Sequence, residues 1–168
     1  MRKVRRDSKD RSLGCGHRSR IGAVRFPGEV RLAAETTFDL QGHRGARGLR
    51  PENTIPAFAH ALTLGVSTLE LDTAMTKDGV LVVTHDSVLN PDITRDDQGR
   101  WIERAGPSIL SMTFAELQRF DVGRIRPGTA YARRFPDQVA VDGARIPRLE
   151  DVFALVRTSR NAAVRFNI

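Results

Sequence analysis

Side chains capable of phosphate and acid–base chemistry are concentrated between residues 42 and 86. Glu70 and Asp72 stand two residues apart in a segment that predicts a strand, so both carboxylates should project to the same face. Two like charges held side by side need a cation, a shared proton or a basic partner. Oxygen ligands favour Ca²⁺ or Mg²⁺ over zinc. Taken alone, the pattern is more often two solvent-facing acids on an edge strand.

Two histidines and an arginine complete the candidate set. His43 and His85 each end a predicted strand, and a pair of histidines can divide general-base and general-acid work near neutral pH. Arg44 adds a fork of donors that suits a phosphate. Together with the carboxylate pair, these groups fit phosphoester hydrolysis or intramolecular phosphoryl transfer.

Hydrophobic spacing and turn signals predict the elements that must position these residues. Strands are expected at 38–43, 66–75, 80–84 and 163–168, and helices at 55–64 and 149–159. The sequence Lys77-Asp78-Gly79 is typical of a hairpin turn. Residues 87–147 are rich in turn signals and predict an insertion that carries one helix. Because the strands alternate with helices, the sheet should be parallel.

The ends of the helices carry their own signals. Thr54 or Asn53 is the expected N-cap of the first helix, and Gly65 its stop. The predicted buried face of that helix consists of Ile55, Phe58, Ala59 and Leu62. In the insertion, Thr113 and Glu116 have the spacing of a capping box.

The charge of the chain lies almost entirely in its first residues. Ten basic and three acidic residues fall within positions 1–31, which accounts for the net charge of +7, and the remainder is neutral. We expect residues 1–37 to form a basic, disordered tail. The tail contains none of the 7–15-residue apolar stretches that a secretory signal needs, and the chain has no apolar run near 18 residues. The compartment stays open.

The sequence resembles the glycerophosphodiester phosphodiesterase family in two strings, HRGARGLRPENTIPAFAHAL at 43–62 and LELDTAMTKDGVLVVTHD at 69–86. The likeness is dense over residues 38–96 and looser from there to Ile168. It implies an α/β fold, a TIM-type (β/α)₈ barrel with an insertion after the second strand. Residues 38–168 would then form the N-terminal part of that barrel, about its first three strands.

The resemblance also implies roles for the matching residues. His43 and His85 would be the catalytic acid/base pair, and Arg44 would bind the phosphate. Glu70 and Asp72 would be ligands of Ca²⁺ or Mg²⁺, and Glu52 would line the site. The implied reaction converts a small-molecule glycerophosphodiester and water into an alcohol and sn-glycerol 3-phosphate. The identity of the alcohol is not implied.

One metal ligand of the family falls at the end of this sequence. The family usually has an N-I-E-x-K motif on its third strand, whose glutamate binds the metal, and the sequence ends at Asn167-Ile168. We therefore expect a barrel truncated inside its third strand. We also expect weak or absent metal binding and hydrolysis by the 168-residue chain alone.

Two other functions stay open at the level of the sequence. An enzymatic alternative is a lysophospholipase-D-like or phospholipase-D-toxin-like protein. Such proteins share the fold and metal site of the family but act on larger lipids. A non-enzymatic alternative is binding of nucleic acid or anionic lipid through the basic tail. The tail has Phe26 as its one aromatic residue before Phe38, which argues against single-stranded nucleic acid.

Overall fold

The computed structural model describes residues 38–159, 161 and 163–168. The predicted basic tail, residues 1–37, lies outside the described residues. The elements, in chain order, are β1 (Gln41–His43), α1 (Ile55–Thr63), β2 (Thr68–Glu70), β3 (Thr73–Met75), β4 (Leu81–Val83), α2 (Phe114–Leu117), α3 (Ala130–Arg134), α4 (Leu149–Thr158) and β5 (Arg165–Asn167). A 3₁₀ turn at Ile109–Ser111 precedes α2.

A three-stranded parallel sheet with the order β1-β2-β5 confirms the predicted α/β class and the parallel pairing. In the register of this sheet, His43 lies opposite Glu70, and Glu70 lies opposite Asn167. Helices α1 and α4 pack together against the sheet. The core between them is apolar and contains Phe58, Ala61, Leu62, Val66, Leu69, Val152, Val156 and Val164.

The prediction of one strand over 66–75 is wrong, because the chain changes partner after Glu70. Leu71 still donates its N–H to Asn167 of the parallel sheet, at 3.0 Å. Two residues later, β3 pairs antiparallel with β4 in a separate hairpin. The turn of this hairpin, with Gly79 at φ 81°, confirms the turn predicted at 77–79. The candidate His85 thus follows a hairpin strand rather than a strand of the parallel sheet.

Helix α1 begins and ends as predicted, but its buried face is rotated from the predicted one. The Thr54 hydroxyl caps the helix by accepting from the Ala57 N–H at 3.3 Å, and Gly65 takes φ 76° after its end. The buried residues are Ala57, Phe58, Ala61 and Leu62. Ala57 is buried because the loop after β1 lies on it: Ala46 donates its N–H to the Ala57 carbonyl at 3.1 Å.

The insertion, residues 87–147, carries more helix than predicted. The capping box of Thr113 and Glu116 is confirmed at α2. Helix α3 was not predicted, since it buries none of its five residues and so lacks an apolar stripe. A second apolar core lies under the insertion, formed by Val82, Leu89, Ile109, Met112, Leu117, Val122 and Ile146. In the part of the chain that the structure describes, no helix is long and apolar enough to span a membrane.

Candidate active site

Arg44 is the residue on which the candidate site converges. The chain leaves β1 at His43 through two left-handed residues, Arg44 at φ 52° and Gly45 at φ 81°. This turn directs the Arg44 N–H to the Glu70 carboxylate, 2.8 Å away on the neighbouring strand. A β-carbon on Gly45 would lie 2.8 Å from the Ala57 backbone carbon, so the turn requires glycine. The sheet register and the turn together place the backbone of Arg44 at Glu70.

The Arg44 side chain contacts two further carboxylates. Its Nη1 donates to Glu52 Oε1 at 2.8 Å, and its Nε lies 3.5 Å from Asp72 Oδ2. The side chain is 10% exposed, so these charges interact with little screening by water. Arg44, the residue predicted to bind phosphate, is therefore positioned by neighbouring carboxylates, and the hydrogen bond to Glu52 fixes its guanidinium.

Glu52 is buried between two arginines and a tyrosine, which makes it more than the site-lining residue expected. Besides Arg44, the Arg47 Nε lies 3.2 Å from Glu52 Oε2, and the Tyr131 hydroxyl donates to the same oxygen. The Arg47 guanidinium also lies over the Phe135 ring, 4.7 Å from its centroid. The sequence analysis singled out neither Arg47 nor Tyr131. Arg47 lies within the string at 43–62, whereas Tyr131, on α3, is 79 positions from Glu52 and gave no local signal.

Arg44 contacts both predicted metal ligands, Glu70 through its backbone N–H and Asp72 through its side chain. Glu70 ends β2, the central strand of the sheet, and its side chain is 22% exposed, so it is not an edge-strand acid. Asp72 follows the strand, and its side chain is 36% exposed. Among the described residues, Asp72 Oδ2 is buried without a hydrogen-bond partner. A buried carboxylate oxygen that accepts no hydrogen bond and has only the Arg44 Nε, 3.5 Å away, as a charged neighbour could serve as a ligand of a hard divalent cation.

The described ranges hold no cluster of three or more His, Cys, Asp or Glu side chains arranged to share an ion. Glu70 and Asp72 nonetheless both lie against Arg44, the first at its backbone N–H and the second at its side chain.

The two candidate histidines are both accessible. The His43 side chain is 58% exposed, and its Nε2 lies 3.8 Å from Glu70 Oε2. The His85 side chain is 45% exposed, and its Nδ1 lies 2.7 Å from Asp86 Oδ1. Thr84 donates its N–H to the Asp72 carbonyl at 3.0 Å, which ties the end of the hairpin to the carboxylate segment. All six predicted residues thus lie on segments that contact one another.

Comparisons with known proteins identify the family of this chain. The model of the glycerophosphoryl diester phosphodiesterase family matches residues 43–168. The chain therefore belongs to this family. A glycerophosphodiester phosphodiesterase of Caldanaerobacter subterraneus subsp. tengcongensis is 38% identical over 114 residues, which cover 68% of this chain and 38% of the relative. A lysophospholipase D of Rattus norvegicus is 53% identical over 47 residues, 28% of this chain and 15% of the relative.

Among solved structures, a provisionally named glycerophosphoryl diester phosphodiesterase from Silicibacter pomeroyi DSS-3 is similar with a TM-score of 0.72 and 45% identity. The match covers 75% of this chain and 42% of that protein. The chain thus spans about two fifths of the length of the relatives it matches.

Proposed function

We propose that this chain carries catalytic residues of a glycerophosphodiester phosphodiesterase, which converts a glycerophosphodiester and water into an alcohol and sn-glycerol 3-phosphate. The observation that carries the proposal is the convergence of Glu52, Glu70 and Asp72 on Arg44. Three separate segments of the chain meet there, and a buried arginine beside a carboxylate pair suits a phosphodiester. Membership of the family supports the same reaction. The proposed fold of the whole enzyme is the TIM-type barrel, to which β1, β2 and β5 would contribute.

In this proposal Arg44 binds the phosphate of the substrate. The hydrogen bond from Nη1 to Glu52 fixes the plane of the guanidinium. The phosphate would take the edge of the guanidinium that Glu52 does not occupy. Because arginine offers two parallel donors to a phosphate, a fixed guanidinium also fixes the orientation of the scissile bond.

Glu70 and Asp72 would hold a divalent cation, Ca²⁺ or Mg²⁺, whose charge stabilises the negative charge that develops on the phosphoryl oxygens. The buried Oδ2 of Asp72, which accepts no hydrogen bond from the described residues, supports this role. The backbone N–H of Arg44 orients the Glu70 carboxylate at 2.8 Å. The two carboxylates would thus serve as ligands, and Arg44 contacts them both.

His43 and His85 would divide the two proton transfers of the reaction. One imidazole accepts a proton from the attacking water as its oxygen bonds to phosphorus. The other imidazole donates a proton to the alcohol oxygen as the bond from phosphorus to that oxygen breaks. Both side chains are about half exposed, as groups that reach a substrate must be.

The test measures release of sn-glycerol 3-phosphate from glycerophosphocholine by the 168-residue chain at high protein concentration, with Mg²⁺ or Ca²⁺. The same assay is run on a chimera in which the remaining length of the Silicibacter pomeroyi relative follows Ile168. We expect the chimera to hydrolyse the substrate, and we expect EDTA to abolish this activity. His43→Ala and His85→Ala should each lower the activity of the chimera by about 10²-fold or more. His60→Ala, on α1, is the matched control. If the 168-residue chain and the chimera were both no more active than their histidine variants, the proposal would be overturned.

The second candidate is hydrolysis of lysophospholipids, and it is favoured by the 53% identity to a lysophospholipase D over 47 residues. The chimera distinguishes the two when lysophosphatidylcholine and glycerophosphocholine are supplied at equal concentration. A higher kcat/KM for the lysophospholipid would assign the larger substrate.

A further inference from the structure

The side chains of Asp86 and Asn90 join His85 in a continuous line of hydrogen bonds. His85 Nδ1 lies 2.7 Å from Asp86 Oδ1. The other oxygen of the same carboxylate, Oδ2, accepts from Asn90 Nδ2 at 2.7 Å. The Asn90 side-chain oxygen in turn accepts from the backbone N–H of Asp92 at 2.9 Å. The line therefore runs from the site residue His85 through the side chains of Asp86 and Asn90 to the Asp92 backbone, three groups that lie outside the site residues named so far.

This line of hydrogen bonds has a direction that the chemistry of its members determines. The Asp92 N–H can only donate, so the Asn90 oxygen must face it and the Asn90 NH₂ must face Asp86. Partial burial alone would raise the pKa of Asp86, but the hydrogen bonds from His85 and Asn90, with the charge of Arg44, hold that pKa below its usual value. The ionised carboxylate can only accept. The proton between His85 and Asp86 must then belong to His85 Nδ1.

We infer that Asp86 and Asn90 are positioning residues that hold His85 in one tautomer and one ring orientation, with Nδ1 protonated and Nε2 assigned to proton transfer. The inference rests on the proposed function for the reaction that Nε2 would serve. The hydrogen-bond geometry itself stands without that reaction. With Nδ1 committed to Asp86, Nε2 is the nitrogen that accepts or returns a proton.

If the contact between His85 and Asp86 served only to stabilise the fold, its loss would change the free energy of unfolding rather than the tautomer of His85. The side chains of His85 and Asp86 are 45% and 33% exposed, and an ion pair at that exposure adds little to stability. Asn90, through its contact with Asp92, also fixes the loop after β4. Substitution of Asp86 should therefore change the state of the His85 ring far more than the stability of the chain.

The experiment is a long-range ¹H–¹⁵N spectrum of the histidine rings in the ¹⁵N-labelled 168-residue chain. It is recorded near pH 8, above the ordinary histidine pKa of about 6.5. The chain has four histidines, and the His85 signals are assigned by their loss in His85→Gln. We expect Nδ1 of His85 to carry the proton and Nε2 to be unprotonated.

Asp86→Asn is the decisive variant, because it keeps the shape of the side chain. The Asn90 NH₂ still needs an acceptor, so the new amide must turn its oxygen to Asn90 and its NH₂ to His85. The Nδ1 of His85 must then accept, and the tautomer should invert to protonated Nε2. Asn90→Ala removes the hydrogen bond that holds the second oxygen of Asp86, so the carboxylate can rotate away from His85 and the population of protonated Nε2 should rise in proportion. Asp137→Ala, at an exposed carboxylate outside this line, is the matched control and should leave the His85 signals unchanged.

Asp86→Ala provides a second measurement if Asp86→Asn does not fold, and it should also raise the population of protonated Nε2. A wild-type His85 that is already protonated on Nε2, or a tautomer that neither Asp86 variant changes, would overturn the inference. Because these spectra read the ring nitrogens rather than turnover, a failed inference is distinguishable from a failed proposal of function.

Discussion

Replacement of Glu52 by alanine should destabilise the protein severely, because it leaves two buried arginines without their shared anion. The Glu52 side chain is 6% exposed, and those of Arg44 and Arg47 are 10% and 11% exposed. At the 2.8 Å and 3.2 Å separations of the two pairs, each attraction is worth about 5–6 kcal/mol at an effective dielectric constant of about 20, before desolvation.

The desolvation of the three groups offsets much of that attraction in the native protein. Removing only the anion, however, keeps the cost of burying both guanidinium groups. Asp72, 3.5 Å from the Arg44 Nε, compensates one of them in part. We expect Glu52→Ala to lower the free energy of unfolding by about 3–5 kcal/mol. Glu52→Gln keeps an acceptor for Arg44 and should cost less, about 1–3 kcal/mol.

Urea unfolding followed by the fluorescence of Trp101, the single tryptophan, measures these differences. Glu103→Ala is the matched control, since that glutamate is 84% exposed and lies 3.6 Å from Arg126. It should stay within about 0.5 kcal/mol of the parent. If Glu52→Ala fails to fold, Glu52→Gln still provides the measurement. A Glu52→Gln variant as stable as Glu103→Ala would refute the view of Glu52 as the anion of this network.

Three further substitutions test the surroundings of the site. Gly45→Ala should lower the free energy of unfolding in urea by about 2–5 kcal/mol, because Gly45 has a left-handed φ of 81° and a β-carbon there would lie 2.8 Å from the Ala57 backbone. Gly48→Ala is the control and should be nearly neutral, since the space around Gly48 is open. Thr54→Ala removes the buried cap of α1 and should lower the thermal midpoint, at a cost of about 1–2 kcal/mol.

The last substitution in this group tests pH dependence. Hydrogen bonds from Thr68, then Ser67 and Gln41, hold the pKa of Asp39 far below its ordinary value of 3.8. Its contribution to stability is therefore present above pH 3.8 and is lost as the pH falls below that value. Urea midpoints of Asp39→Asn should accordingly depend less on acid than those of the parent, and parallel pH profiles would contradict this.

Features that depend on neighbours in sequence were predictable, and features that depend on distant contacts were not. The cap at Thr54, the glycine stop at Gly65 and the turn at Gly79 are properties of a few adjacent residues, and each is confirmed. The prediction of one strand over 66–75 failed because Leu69 and Leu71 alternate with Glu70 and Asp72 across the point where the pairing changes, and neither glycine nor proline marks that point. Nothing in that pattern shows that its two halves pair with different partners.

The candidate site shows the same division. Its six residues could be named because the motifs that contain them are short and resemble those of a known family. The contacts that hold them could not be named, since the Tyr131 hydroxyl meets Glu52 across 79 positions of sequence. Helix α3 lacks a buried stripe, so periodicity gave no sign that one of its side chains completes the surroundings of Glu52.

The contact between Tyr131 and Glu52 has a consequence for the order in which the chain matures during synthesis. Residues 44–53 leave the ribosome well before Tyr131 and Gln138, whose side chains bond to Glu52 and to the Arg47 carbonyl. At about 5–20 residues per second, a separation of some 80 residues takes about 4–16 s to translate. Through that interval, residues 44–53 lack the contacts of Tyr131 and Gln138 and are exposed to solvent. The insertion thus determines when these residues are covered, as well as what covers them.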